Sequence, residues 1–265
     1  DDNKKKRLLE ESISFNSITL SEKQLCDLEM LLNGGFSPLK GFLNQNDYNT
    51  VLKDSRLNNG LLWPIPITLD ISEDISNKIS INDNVVLRDH EGVALAILKV
   101  SDKWKPDLLQ ESILVYGTKD VLHPAVDYLL NKSGEIYIGG EIFGLEYPRH
   151  YDYSEIRHTP KELRTEFEKM NWTKIVAFQT RNPMHKAHKE LASRASKEIG
   201  ANLLIHPVVG MTKPGDIDHY TRVRCYKIIM QKFKSSSAFL SLLPLSMRMG
   251  GPREALWHAI IRKNY

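Results

Sequence analysis

The fold of the second half of the chain is decided by one stretch, Lys174-Ile175-Val176-Ala177-Phe178-Gln179-Thr180-Arg181-Asn182-Pro183-Met184-His185-Lys186-Ala187-His188. Its first five residues are mostly apolar and predict a buried strand. Asn182 is a good helix N-cap and Pro183 a favourable first helical residue, so a helix is predicted over 183–199. A strand that leads directly into a helix is typical of a parallel sheet covered by helices.

Two further units of the same kind follow. Strands are predicted at 202–207 and 238–243, and helices at 219–233 and 252–262. Thr159 and Pro160 indicate another helix start, as cap and first helical residue. This alternation predicts a parallel sheet of the Rossmann type. Ligands of such sheets bind beyond the carboxyl ends of the strands, so the chemistry is expected after residues 178, 207 and 243.

The first half has a different pattern. Short β-branched runs predict strands at 63–69, 83–87, 93–100 and 135–138, and Ser21 can cap a helix over 21–32. The two prolines within 63–69 favour an edge strand there. The chain is therefore predicted to divide into a mostly antiparallel β domain at 1–151 and an α/β domain at 152–265.

Composition restricts the function classes. The net charge of +3 is too small to indicate binding to nucleic acid or to a membrane surface. Cys26 and Cys225 are the only cysteines, without a CxxC motif, which excludes a disulfide scaffold and fits a cytoplasmic protein. The apolar runs fall short of the roughly 18 residues that a transmembrane helix needs.

The segment after the first strand suits an anion. A helix N-terminus offers unpaired N–H groups and a positive dipole end. His185 and His188, three residues apart, would share one face of the opening turn. Arg181 precedes them, and its planar guanidinium could bind a tetrahedral oxyanion with two hydrogen bonds. The alternative of a zinc site is disfavoured because the sequence lacks the glutamate of HExxH, and a P-loop is excluded because no GxxxxGK[ST] motif occurs.

The segments after the other two strands are less specific. Residues 206–222 contain two glycines and two prolines and could be an active-site wall or only a connection. Residues 243–258 contain Arg248 and Arg253 on either side of a Gly-Pro helix start. The two arginines could serve the site or could be paired on the surface.

Several motifs together resemble one family. They are Asn33-Gly34-Gly35-Phe36-Ser37-Pro38-Leu39, Leu62-Trp63-Pro64-Ile65-Pro66-Ile67-Thr68, Gln179-Thr180-Arg181-Asn182-Pro183-Met184-His185, Ile205-His206-Pro207-Val208-Val209-Gly210 and Met247-Arg248-Met249-Gly250-Gly251-Pro252-Arg253-Glu254. In this order they resemble the ATP sulfurylases (sulfate adenylyltransferases), particularly the fungal-type enzymes. The resemblance extends over nearly the whole chain from about residue 20.

The resemblance implies a fold and a reaction. In that family a PUA-like β domain precedes a Rossmann-like adenylyltransferase domain. The reaction transfers the adenylyl group of ATP to sulfate, giving adenosine 5′-phosphosulfate and pyrophosphate, reversibly. Magnesium is expected to arrive with ATP, without dedicated protein ligands. The expected partners are these small molecules, and a homo-oligomer is the expected assembly.

The resemblance also implies residue roles. Gln179 and Arg181 would bind sulfate, and Gln179, Thr180, Arg181 and Asn182 would line the ATP site. Thr180, Arg181 and Asn182 match the catalytic positions. His185 and His188 match the histidines that stabilise the transition state on the phosphates.

One departure and two alternatives accompany this interpretation. In the family, a strand and a Gly-Arg-Asp-His-Ala-Gly motif follow the segment ending at Tyr265, so residues 1–265 alone are expected to have negligible turnover. The first alternative is a different adenylyl- or cytidylyltransferase, which would act without sulfate. The second is a PUA-like domain that binds RNA, which the small net charge and the absence of an aromatic-basic platform disfavour.

Overall fold

The computed structural model describes residues 2–211, 213, 215–233 and 237–265, without the side chains of Asp2 and Lys4. Its contacts divide the chain into two units. The first unit contains residues 1–149 together with 248–261, and the second contains 150–247 together with 262–265. Residues 248–261, which the sequence pattern places in the second domain, thus pack with the first unit.

The first unit is a mixed α/β unit around a six-stranded sheet. Its strands are β1 (Asn16–Thr19), β2 (Gly41–Phe42), β3 (Leu69–Ile71), β4 (Asn84–Arg88), β5 (Ala94–Trp104) and β6 (Ile136–Gly144). The strand order of this sheet is β1-β4-β5-β6-β2, and β3 also pairs with β6. Among the strand pairs described in this sheet, β1 and β4 are parallel and the others are antiparallel. Its helices are α1 (Asp2–Glu11), α2 (Glu22–Leu32), α3 (Gln45–Asp54), α4 (Glu73–Ser76), α5 (Leu108–Tyr116) and α6 (Pro124–Asn131).

The predicted start of α2 is confirmed, whereas the predicted strand at 63–69 is wrong for all but its last residue. The Ser21 hydroxyl accepts the Gln24 N–H at 3.4 Å, as an N-cap should. Strand β3 begins only at Leu69. Pro64 and Pro66 have no N–H to donate to a strand neighbour, so the preceding stretch cannot form a regular ladder although residues 63–69 are all buried.

The second unit has the predicted alternation of strands and helices. It contains α7 (Pro160–Lys169), β7 (Ile175–Phe178), α8 (Lys186–Glu198), β8 (Asn202–Ile205), α9 (His219–Met230) and β9 (Ala238–Leu240). The strands form a parallel sheet in the order β7-β8-β9. Helix α7 begins with the predicted Thr159 cap and Pro160. The last helix, α10 (Gly251–Asn264), contributes its residues up to Ile261 to the first unit.

The core of the second unit sets the position of the strand ends. Leu203, Ile205 and Leu240 of the sheet pack against Ala192 of α8 and Tyr226 of α9. Main-chain pairing continues past β7 and β8, because the N–H groups of residues 206 and 208 donate to the carbonyls of residues 178 and 180 at 2.9 and 3.1 Å. The segments that follow the two strands are thereby held side by side. Within the described residues, no helix is long and apolar enough to cross a membrane.

Candidate active site

The segment after β7 is a loop of residues 179–185, and the prediction of a helix start at Asn182 and Pro183 is wrong. Helix α8 begins at Lys186, with His185 as its N-cap residue. The reason lies in the backbone of Asn182. Its N–H donates to the Thr180 hydroxyl at 3.1 Å, and its carbonyl accepts hydroxyl donors from Thr180 at 2.9 Å and from Tyr226. An N-cap carbonyl must instead accept the first N–H of the helix, so the helix starts later.

The two histidines lie together on the first turn of α8, as predicted. The His185 N–H donates to Nδ1 of His188 at 3.4 Å, and the ring centroids are 5.5 Å apart. The His188 ring also lies 5.8 Å from the ring of Phe178, the last residue of β7. His185 is exposed and His188 is half-buried. Both imidazoles are therefore held next to the carboxyl end of β7, with one of them open to solvent.

Arg181 meets a carboxylate from the segment after β8. Its Nε lies 3.4 Å from Oδ2 of Asp216, and the Arg181 side chain is 27% exposed. The same Asp216 oxygen accepts the N–H of Lys213 at 3.2 Å. Residues 206–222 thus provide a side chain beside the loop, although Thr212 and Pro214 of this segment lie outside the described residues. An anion bound by Arg181 would share or replace the contact with Asp216.

The remaining predicted residues of the loop differ in their exposure. Thr180 is buried, with its hydroxyl bridging the N–H and the carbonyl of Asn182. Gln179 follows β7 directly and is half-buried, whereas Asn182 is exposed. The hydroxyl of Thr180 therefore shapes the loop, and the side chains of Gln179 and Asn182 are those that can reach a ligand.

Two residues of α9 contact the backbone of the loop, and the sequence pattern predicted neither of them. Arg222 is 2% exposed, and its Nη1 donates to the carbonyls of Arg181 at 2.8 Å and Val208 at 3.0 Å. Burial lowers the pKa of Arg222. Tyr226, one turn further, is fully buried, and burial raises its pKa to about 12. Nothing in the spacing of the sequence connects this helix with the loop.

The two arginines of the last segment contact the first unit, Arg248 as a buried and Arg253 as a half-buried side chain, so pairing on the surface is the wrong interpretation for them. The Arg248 side chain is 4% exposed, and its Nη2 lies 2.6 and 2.5 Å from the carboxylate oxygens of Asp27. Arg253 donates to the carbonyls of Val51 at 2.9 Å and Leu52 at 2.7 Å. Both guanidiniums hold the α10 segment against the first unit.

The described residues contain no group of three or more histidine, cysteine or acidic side chains arranged to hold a metal. The candidate site contains nitrogen donors of arginine and histidine, the amides of Gln179 and Asn182, the hydroxyls of Thr180 and Tyr226, and the carboxylate of Asp216. Such a set binds and orients anions and opposes the accumulation of negative charge. The second unit has an α/β fold in which parallel strands alternate with helices, and this loop follows the carboxyl end of β7.

Comparison with known proteins identifies the families that the two parts of the chain match. Residues 154–265 match the ATP-sulfurylase family model, and residues 1–147 match that of the PUA-like domain. The sulfate adenylyltransferases of Schizosaccharomyces pombe, Candida albicans and Saccharomyces cerevisiae are 55%, 57% and 53% identical over 98%, 98% and 99% of this chain. Residues 154–265 thus belong to the ATP sulfurylase family, and residues 1–147 belong to the PUA-like domain family.

The relatives are longer than this chain. The chain spans about half the length of the curated relatives that it matches, 54%, 52% and 52% in the three fungal proteins. Among solved structures, a hexameric APS kinase from Thiobacillus denitrificans matches all of this chain and 48% of its own, with a TM-score of 0.83 and 34% identity.

Proposed function

We propose that the full-length protein transfers the adenylyl group of ATP to sulfate, releasing pyrophosphate and forming adenosine 5′-phosphosulfate in a reversible reaction. The observation that supports this most directly is the position of Arg181, His185 and His188 within one loop and helix turn at the carboxyl end of β7. Two anions must meet in this reaction, and these residues provide the opposing charge and hydrogen-bond donors.

The proposed roles follow from the chemistry. A sulfate oxygen attacks the α-phosphorus, the new P–O bond forms in line, and the bond to pyrophosphate breaks. Sulfate is already an anion, so no general base is required, and catalysis depends on positioning and charge stabilisation. Gln179 and Arg181 would bind sulfate, and residues 179–182 would line the ATP site.

The residues of the loop and those of the first turn of α8 have different proposed roles. Thr180, Arg181 and Asn182 would be the catalytic residues of the loop. His185 and His188 would stabilise the charge that develops on the phosphoryl oxygens and the leaving group, since both rings lie on the first turn of α8. The exposed ring of His185 is the one that a phosphate could reach without a rearrangement.

The wider context is also proposed. Magnesium would enter with the phosphates of ATP, because Mg²⁺ commonly binds through substrate phosphates and few protein ligands. The parallel order β7-β8-β9 with intervening helices supports a Rossmann-like domain at 152–265, preceded by a largely β PUA-like domain at 1–151. Cys26 and Cys225 form no disulfide, which supports a cytoplasmic location. A homo-oligomer is supported by the similar bacterial structure, which is hexameric.

The experiment measures pyrophosphate release from Mg-ATP by the full-length protein with sulfate, with molybdate or with neither. A pocket that selects a tetrahedral dianion should accept both, and the AMP–molybdate anhydride should hydrolyse at once, so molybdate should drive continuous release of AMP and pyrophosphate. Sulfate should compete with molybdate, and ATP should stay intact without either anion. Release that is independent of the oxyanion, or that requires an organic phosphate or an alcohol, would instead indicate another nucleotidylyltransferase.

A further inference from the structure

Helix α9 is connected to the loop after β7 by two buried side chains on successive turns. Nη1 of Arg222 donates to the carbonyl of Arg181 at 2.8 Å, and the hydroxyl of Tyr226 donates to the carbonyl of Asn182. The two acceptors are consecutive peptide groups of the loop. We infer that Arg222 and Tyr226, here called the α9 pair, are positioning residues that set the backbone of Arg181 and Asn182 for the reaction. This inference rests on the proposed function.

The geometry explains how the α9 pair can act on the side chains of Arg181 and Asn182 through the backbone of these residues. A peptide group is planar, so the direction of a carbonyl fixes the ψ angle of its own residue. Fixing the carbonyls of Arg181 and Asn182 therefore fixes the direction in which the following chain leaves each residue. The N–H of Asn182 is fixed as well, because it donates to the Thr180 hydroxyl. The backbone of the loop is thereby held from both sides, at the carbonyls by the α9 pair and at the Asn182 N–H by Thr180.

The same arginine also connects the loop with the next strand. The nitrogen that binds the Arg181 carbonyl also donates to the carbonyl of Val208 at 3.0 Å, beyond the end of β8. The segments after β7 and β8 are thus fixed to one guanidinium nitrogen. These segments also provide Arg181 and Asp216, whose side chains lie 3.4 Å apart. A change at Arg222 should therefore alter the placement of Arg181 relative to its carboxylate neighbour.

The burial of Arg222 indicates that its guanidinium serves to orient the two carbonyls. Arg222 is 2% exposed, its Nη1 donates to two main-chain carbonyls, and its Nε is buried without a hydrogen-bond partner among the described residues. Burying a guanidinium without a paired carboxylate is unfavourable, and an apolar residue would fill the same space of the core at lower cost. What the guanidinium adds is the fixed orientation of two carbonyls.

The experiment compares Tyr226→Phe, Arg222→Met and Arg222→Lys in the full-length protein. Phenylalanine and methionine remove the donors, so kcat for sulfate-dependent pyrophosphate release should fall about 10- to 100-fold, as expected for a small misplacement of catalytic groups. The KM for ATP should change less than about threefold, because mainly the transition-state contacts are lost. Arg222→Lys should recover part of kcat, because a single nitrogen makes both contacts and an ammonium has three donors.

Matched controls separate positioning from folding. Arg224→Lys and Tyr151→Phe make the same chemical changes at exposed positions of the second unit and should leave kcat unchanged. Val223→Ala removes buried volume from α9 beside Val209 and Leu242 and should lower Tm without a comparable loss of kcat. Wild-type kcat in Tyr226→Phe and Arg222→Met would overturn the inference. The inference would also be overturned if Val223→Ala lost as much kcat as the α9-pair variants while its Tm changed by the same amount.

Hydrogen exchange keeps the inference testable if the proposed function itself is wrong. A wild-type protein without oxyanion-dependent turnover would contradict the proposed function only. In that case, the rate of amide hydrogen exchange in a peptide covering residues 179–188 tests whether the α9 pair orders the loop. Faster exchange in Tyr226→Phe than in Val223→Ala supports the α9 pair as the element that orders the loop, and unchanged exchange overturns it.

Discussion

At the scale of single residues, the site separates into what is local in sequence and what is not. The positions of Arg181, His185 and His188 beside the end of β7 could be predicted, because a strand end followed by a helix places near neighbours on one turn. Arg222 and Tyr226 could not, since their acceptors lie 41 and 44 residues earlier in the chain. Contacts of this kind depend on tertiary packing, and a buried arginine in a helix looks like any other in a sequence.

Arg181→Lys tests the proposed two-pronged contact with an oxyanion. Lysine keeps the charge but not the planar fork, so turnover in the full-length protein should fall about 10²–10³-fold. Folding should change little, because Arg181 is 27% exposed and the carbonyl that Arg222 binds is retained. The measurement is kcat beside Tm. Arg194→Lys, in an exposed pair with Glu190, is the control. Equal turnover in both variants would contradict the role of Arg181.

His188→Asn tests the second histidine without disturbing the helix start. The asparagine oxygen can take the place of Nδ1 and accept the His185 N–H, which is now 3.4 Å from that atom. Tm should therefore stay close to that of the wild type, whereas turnover should fall at least about tenfold because a transition-state donor is lost. Full turnover in this variant would show that His188 is structural.

At the scale of elements, helix α8 begins with an N-cap residue that helix stability alone does not favour. Histidine is not among the preferred N-cap residues, yet His185 occupies this position. The prediction of an earlier start at Asn182 followed the preference correctly and failed because the loop uses that backbone for Thr180 and Tyr226. Departures from local preference of this kind are expected at functional sites.

His185→Ser should stabilise α8 and impair the reaction. A serine cap is worth about 0.5–1 kcal/mol more than a poor cap, so the free energy of unfolding should rise by about that amount. Turnover should fall at least about tenfold, because the exposed imidazole is lost. Thr159→Ala is the converse control: it removes the cap of α7, should lower Tm, and should leave kcat unchanged. A variant that gains stability and keeps full turnover would exclude His185 from the chemistry.

At the scale of the whole molecule, the order of elements in the second unit could be predicted, but the membership of the last helix could not. Strand–helix alternation places α10 after β9, and sequence order then assigns it to the same domain. The contacts assign residues 248–261 to the first unit. The decisive residues are Arg248, which pairs with the fully buried Asp27, and Trp257, which packs 5.3 Å from the ring of Phe36. Pairing over such separations leaves no periodic signal in a sequence.

The first unit should therefore depend on residues 248–261 for its stability. Asp27 forms ion pairs with Arg248 and with Lys23, the latter at 3.8 Å. In a polypeptide of residues 1–149, the pair with Arg248 would be lost and the pair with Lys23 would remain. Removing one partner of a buried ion pair costs about 3–5 kcal/mol. Removing a buried tryptophan costs about as much again. A small domain is stable by only about 5–15 kcal/mol, so residues 1–149 should unfold at much lower denaturant concentration or without a cooperative transition.

The test joins residues 1–149 through a flexible Gly/Ser linker to residues 248–261 and compares urea unfolding of the two polypeptides by near-ultraviolet circular dichroism. The joined polypeptide should show a single cooperative transition at a higher midpoint. Arg248→Met and Trp257→Ala in the joined polypeptide should each lower that midpoint, because each removes one of the two buried contacts. Lys263 and Asn264, whose carbonyls accept from Arg164 in the second unit, are absent from both polypeptides and cannot account for a difference. Equal midpoints with and without residues 248–261 would show that the first unit is complete by residue 149 and that the buried pair of Asp27 and Arg248 adds nothing to its stability.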